Sequence, residues 1–360
     1  MTSTGGDGAR AWVDVDLSAL LANARTVMAR SGARLLPMVK ANGYGLGAVR
    51  VARALEALAP WGFGVATAGE GAELRAAGVE RPIIVFTPLV PAWREAYLAA
   101  DLTPVIGDAD ALACWRPTGR PLHVEIDTGM GRAGVRWDDA ETLEALRAAL
   151  RDGAACEAVF THFHSAETDA AACERQWQRF LAVVASLPTR PAIMHGANSA
   201  AALLGSAYAG DLVRPGIFLY GGSAGASPLP APVAALRALV VAVRRVTPGD
   251  SVSYGATWTA ARATTIATLG IGYADGVLRS LSNRGAVELA GGVRPIVGRV
   301  TMDMTMVDVG DAPVAPGDVG TLFGGRITLD AQAAAAGTIA YELLTALGRR
   351  VERRYTGDPG

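Results

Sequence analysis

Lys40 closes an apolar run, Leu35-Leu36-Pro37-Met38-Val39, and opens the glycine-rich stretch Ala41-Asn42-Gly43-Tyr44-Gly45-Leu46-Gly47. Apolar neighbours disfavour an ammonium, and a lysine that gives up its proton more readily becomes a nucleophile toward carbonyl carbon. Taken alone, Lys40 reads equally well as a solvated lysine in a turn. Further along, Arg132 offers a guanidinium fork suited to a carboxylate, and Arg214 taken alone reads as a surface ion-pair partner. His162 stands within Thr161-His162-Phe163, although a lone histidine is more often a satisfied core residue.

These residues need elements to hold them. Apolar runs predict strands at 35–39, 62–66, 82–86, 102–106, 122–126, 158–162, 192–195 and 216–220. Amphipathic stretches between them, clearest at 141–150 and 175–187, predict helices. A strand roughly every 20 to 35 residues is the rhythm of a TIM (β/α)8 barrel, and a doubly wound open sheet would look similar. In a barrel the C-terminal strand ends carry the chemistry, which is where Lys40 and His162 fall. Residues 223–232 are rich in Ser, Ala, Gly and Pro and read as a linker. Beyond them β-rich runs crowd together at 239–246, 264–271, 286–289, 294–300 and 305–309, closed by a helix near 338–347. The expected organisation is an α/β barrel domain over 11–228 and a mainly β domain over 229–360.

With 360 residues, 51% of them hydrophobic, the chain can bury a large core. Its net charge of −1 gives no general attraction for nucleic acid or an acidic membrane. The C-terminal arginines 349, 350, 353 and 354 are expected to form a solvated face. Cys114, Cys156 and Cys173 are too few and too unpatterned for a disulfide framework or a zinc site. No apolar run reaches transmembrane length and the first residues lack a signal-peptide layout, so the expected location is the cytoplasm.

The block Val39-Lys40-Ala41-Asn42-Gly43-Tyr44-Gly45 resembles the cofactor-lysine motif of the alanine racemases, pyridoxal-phosphate enzymes of fold type III. Seven further blocks match in order: 123–132, 161–163, 195–200, 213–221, 252–255, 272–276 and 298–303. The resemblance runs from about Trp12 to Tyr355. It implies a barrel followed by a β domain, and a homodimer whose active sites are shared. It also implies racemisation of a small amino acid, L-alanine to D-alanine above all, feeding peptidoglycan precursors. Lys40 would carry pyridoxal 5'-phosphate and move the α-proton on one face, with Tyr254 of the partner acting on the other. An isolated tyrosine ionises only near pH 10, so a tyrosine in that role needs a nearby positive charge. His162 would lie against the cofactor ring and link Tyr254 to Arg214, which would face the pyridine nitrogen. Tyr44, Asn198, Ser199, Gly216, Ile217 and Tyr341 would bind the cofactor, mostly at its phosphate. Arg132 would meet the substrate carboxylate, and Tyr273, Met302 and Asp303 would narrow the pocket from the partner's side.

The chain departs from the family pattern at several positions. Glu125 stands where many members carry a lysine that becomes carbamylated, and could present a carboxylate to Arg132 unmodified. Gly43, Leu46, His164 and Thr301 replace the usual Ala, His, small residue and Cys. These changes leave open a racemase of serine or of a broader set of amino acids. A decarboxylase of the same fold type would use a Cys-Asp pair and usually Glu at the ring nitrogen. A non-catalytic pyridoxal-phosphate carrier would lack the β domain and the opposing tyrosine.

Overall fold

The computed structural model describes residues 8–225 and 227–357. The first strand, β1 (Ala11–Asp16), alternates buried and part-exposed residues and leads into the helix Leu17–Ser31, whose N-cap Asp16 accepts from Ala19 N–H. A parallel set follows: β2 (Arg34–Leu35), β3 (Phe63–Val65), β4 (Ile83–Pro88), β5 (Thr103–Ile106) and β6 (Leu122–Asp127). After the two-residue β7 (Val135–Arg136) beside β6 come β8 (Cys156–Phe160), β9 (Ile193–His195) and β10 (Leu212–Val213).

The strands β3-β4-β5-β6-β8-β9 pair in that order, all parallel. The parallel pair β2–β10 and a few hydrogen bonds on either side of it close the ring. Leu36 and Met38 N–H donate to Val213 and Pro215 O, and Gly64 N–H donates to Pro37 O. On the remaining side Asp211 N–H donates to Met194 O, and Arg214 N–H to Ala197 O. The result is an eight-stranded barrel filled by Leu36, Ile84, Val105, Ala158, Phe160, Ile193 and Leu212.

Beyond the linker lie β11 (Ala234–Val246), β12 (Thr264–Leu269), β13 (Ala286–Leu289), β14 (Gly292–Pro295), β15 (Thr305–Gly310), β16 (Val319–Phe323) and β17 (Glu352–Thr356). With β1 they form one eight-stranded sheet. β1 lies antiparallel to β11 and parallel to β17, so the strand at the start of the chain belongs to the β-rich sheet and not to the barrel. The expected barrel domain over 11–228 therefore includes a strand, residues 11–16, that pairs in the other sheet. Their alternating Trp-Val-Asp-Val-Asp pattern marks a strand but says nothing about its partners.

Two strand expectations need correction. Residues 216–220 form a 3-10 turn, Ile217–Tyr220, and the eighth strand is the earlier Leu212–Val213. All four turn residues are buried, so the segment is apolar all round and gives no period to read. Pro295, without an N–H, ends β14 where a strand to 300 was expected, leaving only an isolated bridge from Ile296 to Val307. The linker is pinned at both ends: Asp330 accepts from Ser223, and Asn23 both donates to and accepts from Ala231. Among the described residues no helix is long and apolar enough to cross a membrane.

Candidate active site

Lys40 follows the end of β2, and the chain after it turns with the opposite hand to an ordinary helix. Ala41, Asn42 and Tyr44 have φ of 52°, 54° and 52°. Left-handed backbone costs about 1–2 kcal/mol per non-glycine residue, so the surroundings must impose it. They do so from several sides. Glu70 Oε1 accepts from Ala41 N–H at 2.7 Å while its Oε2 accepts from Ala66 N–H at 2.7 Å. Asn42 Oδ1 accepts from Ala48 N–H. Arg353 of β17 donates to Gly45 O from two guanidinium nitrogens, and Tyr355 Oη donates to Leu46 O at 2.9 Å. A Cβ on Gly47 would lie 2.1 Å from Tyr355 Oη, which leaves no space for any other residue.

The turn points Lys40 and Tyr44 into a cavity of about 230 Å³. Met38, Phe86, Glu125, Arg132, Phe160, His162, Asn198, Ser199, Arg214, Gly216, Ile217 and Tyr341 complete its lining. Every residue assigned to the barrel side of the site is therefore gathered here. Burial lowers the proton affinity of Lys40, and the charges of Arg132 and Arg214 act the same way against an opposing effect of Glu70.

Arg214 is buried at the end of β10. It donates to Thr161 O at 2.8 Å, Gly196 O at 3.0 Å, His162 Nδ1 at 3.2 Å and His195 Nδ1. Its guanidinium lies 5.0 Å from the centre of the Phe160 ring. Burial brings its pKa down to about 10, so it keeps its charge at neutral pH. An arginine can only donate, so His162 carries its single proton on Nε2. Burial and the nearby charge of Arg214 bring the His162 pKa down to about 3, which holds the ring neutral.

At the other wall, Ser199 Oγ accepts from Gly216 N–H at 2.8 Å and keeps its own proton for donation. The Tyr44 ring stacks on Tyr220 with centroids 4.4 Å apart, and Tyr220 Oη donates to Met38 O. A Cβ on Gly216 would sit 2.1 Å from Tyr44 Oη, so the hydroxyl and the backbone meet only because residue 216 is glycine. Burial pushes Tyr341 up to about 12, and the hydroxyl remains a donor. Asn198 faces the cavity while its side chain caps the helix Ser199–Leu203.

Glu125 is buried on β6. Burial raises its pKa to about 7 against the lowering effects of Arg132 and Arg214. The expected direct pairing is not formed: among the described residues no hydrogen bond or ion pair joins Glu125 to Arg132. His164 stays out of the cavity, exposed and bonded to Ser165 Oγ at 2.6 Å.

The remaining assigned residues lie apart. Tyr254, Tyr273, Met302 and Asp303 line a second cavity with Arg279, Arg299, Val300 and Thr301, sharing no residue with the first. Tyr254 is 75% exposed, and the residue before it, Ser253, has φ 67° and ψ −178°. That conformation is almost confined to glycine, and such strain gathers at functional sites. Asp303 accepts from Arg350 at 2.9 Å, and buried Asp275 accepts from both Arg10 and Arg350. Of the C-terminal arginines expected to form a solvated face, Arg349 and Arg350 are exposed, while Arg350 also holds Asp275 and Asp303 and part-buried Arg353 serves carbonyl groups. Glu70 was missed, although Thr67-Ala68-Gly69-Glu70 is a capping-box pattern whose glutamate was free to serve a second segment.

Comparison with known proteins gives a consistent picture. Residues 15–224 match the family described as alanine racemase, N-terminal domain, and 233–355 match alanine racemase, C-terminal domain. The chain is 41% identical to an alanine racemase of Acidiphilium cryptum, covering 94% of this chain and 97% of that protein. It is also 41% identical to one from Symbiobacterium thermophilum, covering 98% and 99%. Among solved structures, it is similar to alanine racemase from Bartonella henselae with covalently bound pyridoxal phosphate. There the TM-score is 0.90 at 32% identity, over 97% of this chain and 100% of that one. The alanine racemase of D-cycloserine-producing Streptomyces lavendulae gives 0.88 at 35% identity, over 98% of each.

Proposed function

This chain belongs to the alanine racemase family, and from that premise we propose that it interconverts L- and D-alanine with pyridoxal phosphate held at Lys40. The observation that carries the reading is the barrel-mouth cavity. It brings an amine of lowered proton affinity, a buried guanidinium and three hydroxyl donors around one space. The donor set fits the cofactor: the amine suits its aldehyde, Arg214 its ring nitrogen, and Tyr44, Ser199, Tyr341 and the Gly216–Ile217 backbone its phosphate. The close approach of Tyr44 Oη to Gly216 makes that cradle too tight for a side chain at 216.

When bound, pyridoxal phosphate supplies a carbonyl carbon for the amino group and a ring that spreads the electron pair left by the departing α-proton. The protein residues move the proton. Lys40 exchanges it on one face, and Tyr254 of the partner subunit exchanges it on the other. Two opposed groups are needed because the proton must leave one face and return on the opposite one. His162 stays neutral, so the positive charge that favours a deprotonated tyrosine comes from Arg214 through the imidazole. Arg214 remains charged and cannot take a proton from the ring, which keeps the ring a weaker electron sink and favours return of the proton to the α-carbon. Arg132 receives the substrate carboxylate. Exposure of Tyr254, Tyr273 and Met302 supports a shared site, since a second copy covering them would complete the pocket.

The protein loaded with pyridoxal phosphate and given L-alanine in D2O should exchange the α-proton while D-alanine accumulates. Lys40→Ala should abolish both. A loaded protein that exchanges no α-proton of alanine would overturn the reading.

A further inference from the structure

A chain of buried nitrogens runs from Arg214 through the barrel to its opposite end. Arg214 donates to His195 Nδ1. His195 Nε2 lies 3.4 Å from His123 Nδ1, and His123 Nε2 lies 3.3 Å from Glu157 Oε2. Both histidines are fully buried, whereas Glu157, near the N-terminal end of β8, is one-third exposed. The His195 ring is stacked flat on Phe160, with centroids 4.8 Å apart, the same ring that underlies Arg214.

Only one proton arrangement satisfies every member. Arginine has no acceptor, so His195 Nδ1 must be bare and its proton must sit on Nε2. That proton faces His123 Nδ1, which must then be the acceptor. His123 in turn carries its proton on Nε2, facing a carboxylate that accepts when ionised. Burial keeps a second proton off both rings, opposed at His123 by Glu157 and reinforced at His195 by Arg214. Any reversal would set an N–H of His195 against an N–H of Arg214, leaving a buried donor unmatched.

We propose that Glu157 is a positioning residue for Arg214: by accepting the His123 Nε2 proton it anchors, from the far end, the tautomers of His123 and His195 that Arg214 requires at the near end. Nothing in the cavity touches Glu157. Its influence travels through two aligned imidazoles, whose polarisation strengthens each bond in the series. The catalytic consequence rests on the racemase reading, because it assumes that Arg214 faces the cofactor ring. The tautomers do not depend on that reading.

Nitrogen-15 NMR of histidine-labelled protein loaded with pyridoxal phosphate tests the arrangement directly. Neutral rings protonated at Nε2 are expected for both His123 and His195 at neutral pH. An Nδ1–H tautomer or an imidazolium at either one overturns the proposal, whether or not the protein racemises alanine. Glu157→Leu should give mixed tautomers at His123 and lower kcat about tenfold with KM within about twofold. Glu157→Gln, which still offers an oxygen, should recover most of that loss. A folded Glu157→Leu protein with unchanged tautomers and kcat would also overturn the proposal. If wild-type protein fails to racemise while both histidines show Nε2–H, the fault lies with the functional reading and not with this relay.

Discussion

Burial lifts the Glu125 carboxyl from the ordinary 4.5 to about 7, and this sets a pH dependence that a surface glutamate would lack. In the cofactor-free protein the folded state holds this proton more tightly than the unfolded chain. The stabilisation is complete below about pH 4.5 and is lost as pH rises through 7, a change of up to about 3 kcal/mol. Denaturant titrations of Glu125→Gln should show a flatter pH profile across that window. In the loaded enzyme Glu125→Gln should weaken alanine binding or turnover, and unchanged kinetics would contradict a role for Glu125. At Gly216 the argument is steric. Gly216→Ala would drive a methyl group into Tyr44 Oη and should weaken pyridoxal-phosphate binding at least about tenfold, measured by cofactor titration. Residue types told much at this scale. Lys40, Arg214 and Ser199 stand in blocks whose chemistry is readable. Beyond His162, the chain of groups behind Arg214 is not, because His195, His123 and Glu157 come from three strands and meet only when the barrel closes.

Among the elements, the left-handed turn after Lys40 is held from outside its own domain. Arg353 spends its guanidinium on four carbonyls, those of Gly45, Leu347, Gly348 and Val351. Arg353→Met would leave those oxygens short of a donor. It should cost about 3 kcal/mol in equilibrium unfolding and loosen the turn that aims Lys40, lowering kcat as well. Retention of full stability would contradict that role. The strands near 83–88 and 122–127 were legible because their apolar runs are short and bounded. The segment 217–220 was not, since a turn buried on all sides carries the same apolar signal as a buried strand. β17 escaped notice for the opposite reason. Glu352-Arg353-Arg354-Tyr355-Thr356 reads as polar surface, and only its pairing with β1 and its reach to Gly45 and Leu46 show what the charges serve.

At the scale of the whole molecule, the residues assigned to the site divide between two separate cavities. Lys40, Arg214 and Ser199 lie in the barrel mouth, and Tyr254, Tyr273 and Met302 lie in a second cavity on the β-rich part. Composition and charge could show that the chain can bury a large core and give no general reason to expect a polyanion as partner. They could not show this division, which depends on where β1 and β11 place the sheet. If two copies exchange these halves, a dead Lys40→Ala chain and a dead Tyr254→Phe chain should repair each other. Each mixed dimer then holds one intact site and one doubly defective site. Random 1:1 reassociation should give about a quarter of wild-type D-alanine formation. The measurement is the racemisation rate of L-alanine after the two inactive variants are denatured together and refolded with pyridoxal phosphate. Recovery near a quarter is the result expected of a site shared between Lys40 and the partner subunit's Tyr254. A mixture that refolds, binds the cofactor and stays as inactive as its components would contradict it.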